Sequence, residues 1–243
     1  METGISLVLP AYSEAENLKL ILPQISVALS NLPCPHEILV IDSIVPLDNT
    51  SDICKIYNVN CISRQNGNSY GDAVRTGIKS AKYSKIIIMD SDGSHKPEDI
   101  IRLFTKMQEG YDVVIGSRYI KGGNSDNNLI LKFMSYCVNW TFRFLFNLNV
   151  KDISNSFRLY DSEKLKSINL ECNNFDLVEE ILIKLCYNYS SLQVVEIPIY
   201  FNKRMKGESK RDFLVFVLSY FKTLIKLWKF KSKLTSGVNK DAK

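Results

Sequence analysis

Short β-branched runs alternate with helix-forming stretches through the first half of this chain, and that alternation restricts the fold more than any other feature. The runs are ISLVLP (5–10), HEILVID (36–42), NVNCIS (58–63), KIIIMD (85–90) and YDVVIGS (111–117), each bounded by turn or polar residues. Apolar runs of this length predict buried strands. Between them the pattern predicts helices at 14–32, 48–57, 70–82 and 97–109. Strand and helix in this order predict an α/β domain with a mostly parallel sheet flanked by helices. Ligands of such sheets bind beyond the carboxyl ends of the strands. There the chain places Tyr12-Ser13-Glu14, Asp42-Ser43 and Asp90-Ser91-Asp92.

Beyond Gly122-Gly123-Asn124 the character changes. LILKFMSYCVNWTFRFLFNLNV (129–150) is rich in aromatics and broken by Lys132 and Arg143, and it reads either as a buried helix or as a helix pair partly facing lipid. A mixed segment (152–161), a helix near 175–189, a strand at 193–201 and a helix near 212–231 complete the chain. With no internal repeat and no low-complexity linker, one domain is expected over 1–211, followed by a basic amphipathic helix and tail over 212–243. No uninterrupted apolar run reaches the roughly 18 residues of a membrane span, and METGISLVLPAY lacks a signal-peptide pattern, so a cytoplasmic location is expected. The six cysteines show no CxxC spacing and the chain has only His36 and His95, which supplies a zinc cluster poorly. Reduced, mostly buried thiols are expected.

The net charge of +5 conceals an asymmetry. Residues 203–243 hold 12 Lys or Arg against 3 Asp or Glu, which leaves 19 against 23 in the rest. A nucleic-acid binder more often spreads its basicity over a groove or recognition helix, so nucleic acid is not the expected partner. A terminal basic block points to a phosphate contact, a membrane surface or a solvated tail. Lys222, Lys226, Lys229 and Lys233 share one helical face, with Phe221, Leu224, Ile225, Leu227 and Trp228 largely on others. That is the composition of an interfacial helix too polar to span, or of a helix packed on the domain with its lysines in water.

The strongest local signal is MDSDGSH (89–95), with Asp90 and Asp92 one residue apart past a buried strand. A strand-end loop can turn both carboxylates toward one cation, and hard oxygen ligands of this kind suit Mg²⁺ or Mn²⁺. A solvated acidic turn is the other reading. Ser91 and Gly93 leave room for a ligand near the backbone.

Five blocks in order, LVLPAYSEAENL, MDSDGSHKPEDI, GSRYIKGG, DISNSFRLYD and EIPIYFNKRMKGESK, cover about residues 5–211. On them the chain resembles a family 2 glycosyltransferase of the nucleotide-sugar-binding GT-A fold, and most of all the dolichyl-phosphate mannosyltransferase (polyprenyl-phosphate glycosyl synthase) branch. One block departs. Where the family has an Asp-Asp-Gly-Ser turn, this chain reads IDSIVPLDNTSD (41–52), which bears on recognition of base or ribose. Asn155-Ser156 also replaces the small, glycine-containing pair usual near the acceptor phosphate.

The resemblance implies roles. Pro10, Tyr12 and Glu14 would line the nucleotide pocket, with Val40 and Asp42 at the base and ribose. Asp90, Ser91 and Asp92 would hold Mg²⁺ or Mn²⁺ and the diphosphate; Arg118 would face the phosphates; Arg204 and Lys210 would close over the donor diphosphate. Asp92, Arg118, Arg204 and Lys210 are thus the catalytic candidates, and Arg118, Ser156 and Arg158 the candidates for the acceptor phosphate. The implied activity is inverting transfer of a hexose, mannose or glucose, from a GDP- or UDP-sugar to a dolichyl or undecaprenyl phosphate. It would act peripherally on the cytosolic face of a membrane, with a membrane-anchoring subunit as a further partner. A polyprenyl monophosphate has its second pKa near 6 and is largely dianionic at neutral pH, so it needs no general base. His36 reads as structural, and His95 as either a hydrogen-bonding neighbour of the metal or a helix-start packing residue. The alternatives are a family 2 transferase acting on a glycan, with Asp152 or Glu179 as base, and a catalytically weak nucleotide-binding homologue that has lost the Asp-Asp-Gly-Ser turn.

Overall fold

The computed structural model describes residues 1–207 and 213–238, with side chains for 1–207 and 219–233. Strands β1 (Glu2–Pro10), β2 (His36–Asp42), β3 (Asn60–Ser63) and β4 (Tyr83–Ile88) alternate with helices α1 (Ala15–Ser30), α2 (Thr50–Ile56) and α3 (Tyr70–Ser80). Next come α4 (Asp99–Met107), β5 (Val113–Ser117), β6 (Asn124–Ser125), α5 (Leu129–Phe146), β7 (Arg158–Asp161) and α6 (Ser162–Ser167). Helix α7 (Leu177–Asn188), β8 (Val194–Pro198), β9 (Tyr200–Phe201) and α8 (Phe213–Val238) follow. Seven strands form one sheet in the order β3-β2-β1-β4-β7-β5-β8, and β6 pairs with β9. Only β7 runs antiparallel, against β4 on one side and β5 on the other.

The unbroken apolar character of the strands follows from burial on both faces. In β1, Ile5, Leu7 and Leu9 enter the core under α1, α2 and α4 while Val8 points into the core under α3, α5, α7 and α8. Ile87 and the pair Ile86/Ile88 divide β4 in the same way. Helix α1 carries Pro23, which cannot donate to the carbonyl of Lys19 four residues earlier. The Tyr57 hydroxyl donates to that carbonyl instead, at 3.2 Å. Helix α3 starts at a reciprocal cap, with Asp72 N–H donating to the Ser69 hydroxyl (3.1 Å) and Ser69 N–H to the Asp72 carboxylate (3.0 Å).

Two expectations from the sequence are corrected. Segment 129–150 holds a single helix, α5, of whose side chains only Asn139, Phe142 and Phe146 are buried. The thiols are all free, but only Cys54 and Cys172 are buried, and Cys137 is exposed. Of the α8 lysines, Lys222, Lys229 and Lys233 are exposed, and Lys226, its side chain 40% exposed, pairs with Glu171 at 2.5 Å. Tyr220 and Leu227 of α8 belong to the apolar core, while Phe221, Ile225 and Trp228 are exposed. Among the described residues, no helix is long and apolar enough to cross a membrane.

The sequence reverses direction across the sheet between β1 and β4, the strand order there being β2-β1-β4. The carboxyl ends of β1, β2 and β4 therefore open onto one crevice.

Candidate active site

The crevice is assembled by side chains that tie the three strand ends together. Ser91 donates its hydroxyl to the Pro10 carbonyl at 2.7 Å, which fixes the loop after β4 against the end of β1. Arg64, just past β3, is 5% exposed and spends its guanidinium on backbone: Nε donates to the Asp42 carbonyl (3.1 Å), one terminal nitrogen to the Asn68 and Ser69 carbonyls (2.8 and 3.0 Å), and the other to the Ala11 carbonyl. Its Cζ lies 5.4 Å from the Tyr12 ring centroid. Burial works against its charge and lowers its pKa, with Asp42 the leading opposing influence. Sequence reasoning missed Arg64, because a side chain whose partners are carbonyls leaves no pattern in the sequence.

Asp42 is 3% exposed and accepts the Ser43 N–H at 2.8 Å; burial raises its pKa above the ordinary carboxylate range. The departing loop after it supplies a device of its own. Asp48 accepts the Ala15 N–H at 2.9 Å and the Thr50 N–H at 3.0 Å, so one carboxylate serves the first turns of both α1 and α2. Ile44, Val45 and Leu47 of this loop are exposed. Val40 is fully buried in the apolar core and presents no surface to a nucleotide, which corrects its expected role. Pro10 is buried, and Tyr12 is 39% exposed at the mouth of the crevice.

Asp90 and Asp92 lie on the loop after β4 and are partly exposed, at 13% and 20% of their side chains. Ser94 donates both its N–H (3.0 Å) and its hydroxyl to one oxygen of Asp92. The other Asp92 oxygen lies 3.5 Å from Arg204, whose second terminal nitrogen pairs with Glu14. Glu14 in turn accepts from the Asn17 amide at 2.7 Å. Arg204 thus bridges the end of β1 to the loop after β4. Its own segment is stitched to that loop by Asn202 N–H to the Ser94 carbonyl (2.8 Å) and Met205 N–H to the Asp92 carbonyl (3.0 Å). Gly93 has φ +80°, and a Cβ there would stand 2.6 Å from Met205 Cγ, so this close approach needs glycine.

No group of three or more His, Cys, Asp or Glu side chains suited to a metal occurs among the described residues. Two carboxylates on one loop nonetheless fit Mg²⁺ or Mn²⁺, which draw their remaining ligands from water and substrate phosphate. A d-block site of nitrogen and sulfur is not on offer here. His95 is buried, with Nε2 3.6 Å from Asp90 and 3.4 Å from the Ser156 hydroxyl, and its ring packs on Phe157 and Phe201. It therefore lies between the metal loop and Ser156.

Arg118 sits past β5, where Asp152 holds it through two contacts, 2.8 Å at Nε and 2.7 Å at a terminal nitrogen; that nitrogen also donates to Ser154 (2.8 Å) and Ser135 (3.3 Å). Burial disfavours its charge, but Asp152 more than compensates and lifts its pKa above the ordinary value. Ser135 belongs to α5, so this pair fastens α5 to the carboxyl edge of the sheet. Arg158 opens β7 opposite Ile88, the last residue of β4, but its side chain turns away from the edge. It is fully buried and donates to the Val178 and Ile153 carbonyls, which corrects the expectation that it meets an acceptor phosphate. Lys210 lies outside the described residues.

Neither carboxylate considered as a base for a glycan acceptor is free for that work. Asp152 is fully buried against Arg118. Glu179 is fully buried, accepts the Tyr220 hydroxyl at 3.0 Å, and is pushed by burial to a pKa of about 8. A carboxyl raised in the fold is protonated there while ionised in the unfolded chain, so stability falls as pH rises from about 4.5 toward 8. Glu179→Gln, which keeps the acceptor for Tyr220, is expected to flatten that slope and to raise Tm at pH 8 by roughly 5–10 °C. Thermal denaturation at pH 5, 6.5 and 8 checks this, and parallel slopes for both proteins would refute it.

The fold and the crevice together define a GT-A-like protein. The chain superposes on glucosyl-3-phosphoglycerate synthase from Mycobacterium tuberculosis, solved with Mn²⁺, uridine diphosphate and glucosyl-3-phosphoglycerate, at TM-score 0.71 and 16% identity over 93% of this chain and 80% of that one. It belongs to glycosyl transferase family 2, whose family model matches residues 6–168. A dolichol-phosphate mannosyltransferase from Pyrococcus furiosus is 30% identical over 95% of this chain, which spans 65% of that protein's length. A polyprenol monophosphomannose synthase from Mycolicibacterium smegmatis is 32% identical over 84% of this chain and 79% of that one.

Proposed function

We propose that the chain transfers a hexosyl group from a nucleoside diphosphate sugar to the phosphate of a polyprenyl lipid at a membrane surface. The observation that carries this reading is a juxtaposition. The polar crevice of Glu14, Asp90, Asp92 and Arg204 opens at the same sheet edge to which Arg118 and Ser135 fasten α5. That helix leaves Leu129, Ile130, Phe133, Tyr136, Trp140 and Phe144 exposed, the last three 58%, 56% and 73%. Helix α8 adds exposed Phe221, Ile225 and Trp228, bordered by exposed Lys222 and Lys229. A folded domain has little reason to keep so much aromatic surface in water, and aromatic residues with lysines suit the headgroup boundary. The relatives named for polyprenyl acceptors support the same acceptor class.

In this reaction an acceptor phosphate oxygen attacks the anomeric carbon as the bond to the nucleoside diphosphate breaks, with inversion. The acceptor is already anionic, so no side chain has to remove a proton, in keeping with the absence of an available carboxylate base in Asp152 and Glu179. Charge grows on the departing diphosphate, and Arg204 is placed to meet it once the donor displaces its contacts with Glu14 and Asp92. Asp90 and Asp92 would hold Mg²⁺ or Mn²⁺, which supplies further positive charge to the diphosphate. Asp42 and the 43–47 loop would receive the nucleoside, with Arg64 holding the crevice floor.

The test is a donor screen in which labelled GDP- and UDP-hexoses are incubated with polyprenyl phosphate and label is counted in the organic phase. One donor is expected to transfer label in a Mg²⁺- or Mn²⁺-dependent manner. Transfer to a soluble glycan but to no polyprenyl phosphate would replace the acceptor, and absence of nucleotide binding in calorimetry would replace the enzyme reading altogether.

A further inference from the structure

Beside the Arg118–Asp152 pair, on the outer side of α5, lies a cavity of about 250 Å³ lined by Tyr119, Tyr136, Asn139, Trp140, Arg143 and Lys151. Its lining holds two cations and no carboxylate. Of the carboxylates beside Lys151, Asp152 is committed to Arg118, and Glu196 accepts the backbone N–H groups of Lys151 (2.8 Å) and Asp152 (2.9 Å). The Asn139 amide is fixed in orientation, because its oxygen accepts the Ile153 N–H (2.9 Å) and the Ser154 N–H (3.0 Å). The aromatic walls are continuous with the exposed apolar surface of α5, Trp140 stacking on Phe144 at 5.6 Å between centroids.

We infer that this cavity is a binding site for the phosphate headgroup of an anionic membrane phospholipid, distinct from the crevice that takes the donor. Arg143 and Lys151 meet the phosphate, and Tyr136 and Trp140 flank the first carbons of the lipid. A lining that holds a guanidinium and an ammonium but no carboxylate selects an anion, and aromatic side chains select one that carries an apolar tail. The site would orient the domain on the bilayer, whereas the lysines of α8 add attraction without geometry. The inference rests on the membrane reading of this face, but its test involves no sugar transfer, so either can fail without the other.

The chain has two tryptophans, and Trp228→Phe leaves Trp140 as the sole indole reporter at the cavity. Titration of that protein with dihexanoyl phosphatidic acid below its micelle concentration is expected to shift Trp140 emission to the blue and to saturate. Dihexanoyl phosphatidylcholine and inorganic phosphate are expected to cause no saturable shift. On vesicles of phosphatidylcholine with one fifth phosphatidic acid, Arg143→Gln with Lys151→Gln is expected to weaken binding about 30-fold, and Lys151→Gln alone about fivefold. Lys151 is exposed, so the single variant tests the site without disturbing the fold. Equal response to phosphatidylcholine would leave only an apolar surface and overturn the site. Saturation by inorganic phosphate alone would make it a free-anion site and overturn the lipid assignment. Unchanged vesicle binding by folded variants would overturn the role of both cations.

Discussion

Asp92→Asn is expected to lower hexosyl transfer about 10³-fold while leaving the melting temperature within a few degrees of the parent. One oxygen of Asp92 is engaged by Ser94 and the other faces Arg204, so the side chain serves the crevice and not the core. Loss of its charge removes one of the two carboxylates that fit the cation and also releases Arg204 on one side. Asp90→Asn is expected to act in the same direction. Mn²⁺ binding, followed by electron paramagnetic resonance in the presence of nucleoside diphosphate, should weaken in parallel with activity. If both variants retained full activity in EDTA, the carboxylates would have no metal to hold and the crevice would need another source of positive charge.

Arg204→Ala is expected to reduce kcat about 10²-fold or more, with donor affinity changed less than tenfold. The reason lies in where charge develops. Arg204 is held before reaction by Glu14 and Asp92, so much of its interaction with the donor ground state replaces contacts that it already has. The leaving diphosphate gains charge in the transition state, and there the guanidinium contributes most. Arg204→Lys keeps the charge but cannot span Glu14 and Asp92 with one planar fork, so an intermediate rate is expected. A rise in KM with unchanged kcat would reduce Arg204 to a binding residue.

The part of the site that was legible in the sequence is the part written in short motifs. Asp90 and Asp92 could be found because a strand end and its loop are adjacent in the chain, and Ser91 and Gly93 showed in the same window that a ligand had room near the backbone. Gly93 then proved to have a further reason, the approach of Met205, which no local pattern reveals. Arg158 was misplaced because the resemblance of the DISNSFRLYD block assigns it a phosphate without saying which way its side chain turns. In a strand, neighbours two apart share a side, but Ser156 precedes the strand, and β7 starts only at Arg158, with that side chain turned into the core. Val40 was misplaced for a related reason: two residues from the strand end, it is still beneath α1 and α2.

By itself the sequence determined the parallel α/β sheet, because unbroken apolar strands require cover on both faces, and it determined that acidic residues gather at the carboxyl ends of β1, β2 and β4. It also determined that α5 and α8 carry more aromatic surface than ordinary solvated helices. Only the tertiary structure decided which of those aromatics face outward, since the answer depends on where α7 and the sheet leave room. It alone joined Arg204 to Glu14 across 190 positions and set Asp152 against Arg118, and it turned Asp48 into a cap for two helices. Such contacts are bought by chain folding, not by local propensity: a charged side chain takes the partner that burial brings within reach, and sequence distance carries no record of it.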